Sequence, residues 1–337
     1  MNLEKKYQIA YEKLVSAKRV LVVGHISPDP DALSSIGAIL EFLINKNISF
    51  QAFAEDKVEG LYSFIPHDDL ILKTKPEDIS IFSTIIILDC GSLSRTGLDK
   101  EISELLSRAQ GGESKPYIIE FDHHQRQAVF SDLEIRLPDR ASTTEIVYEF
   151  LQANKEEINK VMADCILIGL MSDTGHFVHP NSTFKALEVS SKMLLKGASL
   201  KKISNYIKRD ANLPALKIWG RVFSRLKFNQ ETGLACTALT KKDLHDLDII
   251  KNRAKLADIF GDMVSFISYL PGVSVALLLK EEKGSIKGSL RANNGDVDVS
   301  QLADIFGGGG HKRAAGFSVS GKLKEIDNGW KIVRAIK

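Results

Sequence analysis

"RVLVVGHISPDPDALSSIGAILEFLINK", residues 19–46, joins a compact apolar run, an acid-bearing loop and an amphipathic segment without a break. Residues 19–25 are too short and too evenly apolar for a surface helix and read as a strand buried on both faces. After the loop, Ile36, Ile39, Leu40 and Leu43 share one helical face. The same unit recurs down the chain. "ISFQAFA" (48–54), "STIIILD" (83–89) and "PYIIEFD" (116–122) read as strands, and "DKEISELLSRA" (99–109), "TTEIVYEFLQANK" (143–155) and "EEINKVMADCILIGLMSD" (156–173) as helices. Near-continuous apolar strands alternating with helices specify an α/β fold, a parallel sheet with helices on both sides.

Residues 1–183 are therefore expected to form one α/β domain. The charged stretch 184–228 has no Gly- or Ser-rich linker and reads as a helical connector. Beyond it, "GLACTALT", a helical stretch around 252–269, "VSVALLLKE", "GSIKGSLRA" and "FGGGGHKRAAGFSVSG" predict a smaller α/β or α+β domain over 229–337. Two such domains suit 337 residues of ordinary composition, 44% apolar and 26% charged. Apolar runs fall short of the roughly 20 residues of a membrane helix, and the charged N-terminus lacks a signal-peptide core. Cys90, Cys165 and Cys236 are too scattered for a disulfide framework or thiolate site. A cytoplasmic enzyme is expected. A net charge of +2 argues against coating long nucleic acid by charge alone, but a short anionic ligand is easily accommodated.

The chemistry sits at the strand ends. "VVGHISPDPDA" carries His25, Asp29 and Asp31; "IIILDCG" carries Asp89; "IIEFDHH" carries Asp122, His123 and His124; "GLMSDTGHF" carries Asp173 after a long apolar helix. Taken singly, each has a plainer reading. Asp29 and Asp31 suit a turn and helix N-cap, Asp89 a loop, Asp173 a helix-ending turn, and His25 a hydrogen-bonded core position. Taken together they converge, because the crevice beyond the carboxyl ends of a parallel sheet is one place. Four carboxylates there repel unless cations neutralise them. Carboxylate and imidazole ligands without thiolate suit manganese or magnesium, with iron or cobalt as alternatives, and the imidazoles favour manganese. The number of ligands exceeds what one ion needs and predicts two ions about 3.5–4 Å apart. His67, His179 and His245 fall outside the pattern, and Cys90 reads as a small packing residue.

"HISPDPDALSS", "ILDCGSLSRTG", "FDHH" and "MSDTGHF" resemble the four successive motifs of the DHH phosphoesterase superfamily. "GSLRAN" with "VDVSQLADIFGGGGHKRAAGF" resembles the DHH-associated C-terminal domain of its NrnA-type members, which are nanoRNases and 3′-phosphoadenosine 5′-phosphate phosphatases. The resemblance runs from about residue 5 to residue 320. It implies one cation on His25, Asp29 and Asp89 and a second on Asp31, Asp89, His123 and Asp173, with Asp89 bridging. His124 is implied to face the substrate phosphate, Asp122 to orient its neighbours, and Arg95 to play a structural or charge-balancing part. An active-site cleft between the two domains is implied as well.

The resemblance also implies the activity, a manganese-dependent phosphodiesterase that releases nucleoside 5′-monophosphates from short oligonucleotides or linear dinucleotides. Alternatives are a RecJ-like single-strand exonuclease and a catalytically silent nucleotide-binding regulator. Partners are then short single-stranded RNA or DNA, with a homodimer compatible and no membrane. In the C-terminal domain, the glycines of 307–310 free the backbone to present N–H groups to an anion, and "KRAAGF" is expected to open a helix behind them. With Arg291, the residues Gly308, Gly309, Gly310 and His311 read as a phosphate cradle. From 280 to 337 there are 11 Lys/Arg against 7 Asp/Glu, a mild excess that suits a short nucleotide chain. The chain departs from the family pattern at Gln127, Val178, His179 and Ala292, positions that bear on base and phosphate recognition.

Overall fold

The computed structural model describes residues 1–57, 62–112, 114–125, 128–201, 203, 213–246, 263–293, 297–326 and 329–333. The chain divides into two compact units, Met1–Tyr206 and Ile207–Lys337. The division falls inside the stretch read as a connector.

In the first unit, strands β1 (Arg19–Val23), β2 (Ser49–Phe53), β3 (Ile71–Leu72), β4 (Thr84–Leu88), β5 (Tyr117–Asp122) and β6 (Leu133–Arg136) form one parallel sheet in the order β3-β2-β1-β4-β5-β6. Around it lie α1 (Leu3–Val15), α2 (Pro30–Asn45), α3 (Asp99–Gln110), α4 (Thr143–Ala153), α5 (Lys160–Asp173) and α6 (Phe184–Leu195). Strand alternation divides the core in two. Val20, Val22, Ile86, Leu88, Ile119 and Phe121 face α2, α4 and α5. Leu21, Val23, Ile85, Ile87 and Ile118 face the apolar side of α3 through Ile102 and Leu105. The expected sheet covered on both faces is what forms. Strand order reverses between β1 and β4, and the crevice beyond the strand ends at such a reversal is where open α/β sheets bind ligands.

Local caps set where the helices begin. Asp29 accepts from the Ala32 N–H at 3.0 Å, and Pro30, whose fixed φ suits the first helical position, follows it. Ser142 accepts from the Glu145 N–H, while the Glu145 carboxylate takes the Ala141 N–H. The helix expected over 156–173 starts later, at Lys160, because Asn159 caps it through the Met162 N–H.

The second unit has a six-stranded sheet, β11-β12-β10-β9-β8-β7, made of β7 (Lys227–Asn229), β8 (Leu234–Leu239), β9 (Val275–Glu281), β10 (Ser285–Ala292), β11 (Gly309–His311) and β12 (Ala314–Ser320). It is antiparallel except between β8 and β9. Two features correct the expectation for "GGGGHKRAAGF". The segment does not open a helix; residues 314–320 are strand β12, paired with both β10 and β11. The glycines also have packing duties. Gly307, at φ +69°, ends the helix Val299–Asp304, and a Cβ on Gly308 would lie 2.2 Å from the Gly316 carbonyl oxygen. Of the helix expected at 252–269, residues 263–268 are helical and 252–262 lie outside the described residues.

Candidate metal centre

Three strand ends and one helix end bring the predicted acids and histidines together. His25 follows β1, and its Nδ1 lies 2.8 Å from the Ile26 carbonyl oxygen. That bond puts the proton on Nδ1 and leaves Nε2 as the free donor to an electrophile. Nε2 is buried with no hydrogen-bond partner, and lies 3.6 Å from Asp29 Oδ2 and 3.9 Å from Asp89 Oδ2. A buried imidazole nitrogen with a lone pair facing two carboxylates is unstable company unless a cation lies between them, so the donor set fits a metal ion. Asp29 serves both of its readings, since Oδ1 caps α2 while Oδ2 faces His25.

A second cluster adjoins the first. His123 Nε2 lies 3.1 Å from Asp173 Oδ2 and 3.5 Å from Asp89 Oδ1, and Asp31, His123 and Asp173 bring ligand atoms within 4.8 Å of one another. Asp89 thus turns Oδ2 to the His25 side and Oδ1 to the His123 side. It is 1% exposed and held at φ +60°, a left-handed backbone that Asp tolerates better than most residues. Asp89, His123 and His124 form a third such group, with His124 Nδ1 3.5 Å from Asp89 Oδ1, and each of the three can hold a divalent cation.

His124 is placed differently. Its backbone N–H and Nδ1 both bond to Asp122 Oδ1, at 2.7 and 2.9 Å, while the Gly91 N–H bonds to Asp122 Oδ2 at 2.5 Å. Asp122 therefore ties the loop after β4 to the loop after β5. Arg95 lies against the same turn, where a Cβ on Gly91 would be 3.5 Å from Arg95 Nη1. Cys90 is fully buried, with its thiol toward the Leu88 carbonyl, among the apolar residues facing α3.

Two kinds of support escaped the sequence reading. The first is the start of α4. Thr143 and Thr144 N–H groups bond to Asp31 at 2.7 and 3.2 Å, Thr144 Oγ1 donates to Asp31 Oδ1 at 2.8 Å, and Thr143 Oγ1 donates to Asp89 Oδ1 at 2.8 Å. Gly169 on α5 makes room for this, because a Cβ there would lie 2.4 Å from both Asp31 Oδ1 and Thr144 Oγ1. The second is Arg136 on β6, whose guanidinium meets Glu120 and, at 3.3 Å, Asp122. The "STTE" run is a helix-start signature and so was visible; its contact with Asp31, 112 residues away, was not.

The remaining predicted residues, Arg291, Gly308, Gly309, Gly310 and His311, lie in the second unit. His311 pairs in register with Ala314 and Ala314 with Arg291, so the two residues stand two strand spacings apart, about 10 Å.

Burial, then repulsion from Asp31, Asp29 and Asp173, pushes the Asp89 carboxyl well above its usual range. Burial and Asp31 push Asp173 up to about 7 against the pull of His123. Burial opposes a charge on His123, but Asp173 and the other acids outweigh it and raise the imidazole to about 9. Metal binding requires neutral imidazole. Below pH 9 a cation must displace the His123 proton, so affinity should rise with pH from about 7 to 9. Calorimetry of Mn2+ binding in two buffers of different ionisation enthalpy should detect proton release at pH 7. Binding without release would remove His123 from the cation's ligands.

Residues 19–170 match the model of the DHH family N-terminal domain, and residues 253–336 match the DHHA1 domain. The chain belongs to the DHH family. It is a phosphoesterase hydrolase. Among its relatives is the bifunctional oligoribonuclease and PAP phosphatase NrnA of Thermus thermophilus, 26% identical over 90% of this chain and 84% of the relative. The crystal structure of an exopolyphosphatase-related protein from Bacteroides fragilis superposes with a TM-score of 0.82 at 24% identity, covering 93% of this chain and 91% of that one. RecJ from Thermus thermophilus, solved in complex with Mn2+, gives a TM-score of 0.53 at 14% identity, with 94% of this chain matched to 52% of RecJ. Both show the DHH fold. Among the described residues no helix is long and apolar enough to cross a membrane.

Proposed function

We propose that this protein is a manganese-dependent phosphodiesterase that cleaves very short oligonucleotides and linear dinucleotides to nucleoside 5′-monophosphates, with 3′-phosphoadenosine 5′-phosphate as a second, monoester substrate. The observation that carries the proposal is the Asp89 carboxylate, with one oxygen toward His25 and Asp29 and the other toward His123. In this reading His25, Asp29 and Asp89 hold one Mn2+, and Asp31, Asp89, His123 and Asp173 the other. Such a pair supplies hydroxide near neutral pH and stabilises the attacking and leaving oxygens of phosphoryl transfer. Asp122 takes up His124 Nδ1, so Nε2 is the ring nitrogen left to meet the substrate. The NrnA relative's oligoribonuclease and PAP phosphatase activities support the substrate class.

Arg291, with Gly308, Gly309, Gly310 and His311, is assigned the phosphate away from the scissile bond. A charge-assisted hydrogen bond from guanidinium to phosphate contributes about 1.5–3 kcal/mol. Arg291→Ala should therefore lower kcat/KM on a dinucleotide by roughly tenfold or more and leave hydrolysis of a simple aryl phosphodiester nearly unchanged. Equal loss on both substrates would remove Arg291 from substrate binding. The decisive assay offers the Mn2+-loaded protein RNAs of two to five nucleotides, a 24-mer and 3′-phosphoadenosine 5′-phosphate. The shortest RNAs should be cut fastest. Preference for the 24-mer would overturn the proposal in favour of a RecJ-like exonuclease.

A further inference from the structure

We infer that Thr143 is a positioning residue that sets Asp89 for one of the two cation positions more than for the other. The inference rests on the binuclear reading above. Thr143 is wholly buried at the first turn of α4, directly after the Ser142 cap. Its single hydroxyl hydrogen goes to Asp89 Oδ1 at 2.8 Å, across 54 residues of sequence. That oxygen is the one facing His123, at 3.5 Å, whereas Oδ2 faces His25 at 3.9 Å.

The same residue anchors a second carboxylate by a different atom. Its backbone N–H donates to Asp31 Oδ2 at 2.7 Å, and Thr144 holds Oδ1. In the binuclear reading, Asp31 and Asp89 Oδ1 are both ligands of the ion held with His123 and Asp173. One residue therefore fixes two ligands of one ion and touches neither His25 nor Asp29 in any recorded hydrogen bond. A carboxylate oxygen has two lone pairs, so Oδ1 can accept from Thr143 and still coordinate a cation. Without the hydroxyl, Asp89 is free to turn about its terminal torsion, which is broad for Asp. The turn moves both oxygens together, but the oxygen that loses its fixed partner is Oδ1, on the His123 side.

Substitution separates the two anchors. Thr143→Val keeps the shape and the backbone N–H to Asp31 but removes the bond to Asp89; Thr143→Ser keeps both. Partners that orient a ligand change metal affinity by about 10–100-fold when lost. The test uses single-ion backgrounds, with His25→Ala leaving the His123 position and His123→Ala leaving the His25 position. Mn2+ binding is measured by calorimetry at fixed pH, and each variant's fold is checked by its melting curve. Adding Thr143→Val should weaken Mn2+ about 10–100-fold in the His25→Ala background and clearly less in the His123→Ala background. Thr143→Ser should restore the lost affinity, and Thr143→Ala repeats the measurement if valine disturbs the fold. Equal weakening in both backgrounds, no weakening in the first, or a serine variant no better than valine would overturn the inference. If the unmutated protein binds fewer than two Mn2+, the binuclear reading itself fails. If it binds two and Thr143→Val changes nothing, only the role of Thr143 fails.

Discussion

Asp89→Ala should lower kcat/KM on a Mn2+-loaded dinucleotide assay by about 10³-fold. Loss of one group that stabilises developing charge costs about 10²–10³ in rate, and Asp89 faces both cation positions. The variant should also lose at least one of two ions on dialysis, as read by elemental analysis. A melting curve of the metal-free protein separates this from misfolding. Burial and the neighbouring acids already disfavour the Asp89 carboxylate, so its removal relieves repulsion, and the metal-free variant should melt no lower than the parent. Retention of most of the activity would dismantle the binuclear assignment. A lower melting temperature without metal would mean that Asp89 supports the fold directly.

Arg136→Ala should produce the largest stability loss. Its side chain is 3% exposed and meets Glu120, whose side chain is 1% exposed, and Asp122, which is fully buried. Removing one member of a buried pair strands the other charge and costs about 3–5 kcal/mol. For a unit of this size that lowers Tm by roughly 10 °C. The loss should depend on pH with a definite sign. Burial raises Glu120 to about 7 even with Arg136 beside it, and without the guanidinium it rises further. A raised folded-state value contributes stability at low pH that is lost as pH rises through it. The deficit should thus be smallest below about pH 7, where Glu120 is protonated with or without the guanidinium, and grow as pH rises above it; Glu120→Gln in the same chain should restore part of the stability and flatten this dependence. A pH-independent deficit would place the effect in lost packing instead.

How much of this was legible depended on range. β1, β4 and β5 could be read because each is a short apolar run ending in an acid or histidine, and the parallel sheet then converges those ends on one crevice. α2 was legible from the spacing of Ile36, Ile39, Leu40 and Leu43. β6 was not, since "LEIR" is four residues with two charged side chains, and only the buried acids opposite explain why Arg136 points inward. Thr143 and Thr144 read as an ordinary helix start, because nothing local reveals that the donors of that turn end on Asp31 and Asp89. "KRAAGF" misled because Ala, Gly and Lys have little strand preference of their own; pairing with β10 and β11 imposes the strand.

The division of labour within "DPD" bears on how this fold would decay. Asp29 caps α2 whether or not a cation is present, so a descendant that had abandoned catalysis would still profit from an acid, Asn or Ser at that position. Asp31 has a like claim, because the Thr143 and Thr144 N–H groups that open α4 end on its carboxylate. Among the described residues Asp89 takes no helix N–H; it is almost wholly enclosed, and burial and its neighbouring acids raise its carboxyl against ionisation. Drift there would meet the least resistance from folding once the ions were gone. A silent relative should therefore betray itself at position 89 first, while positions 29 and 31 go on looking catalytic long after the chemistry has lapsed.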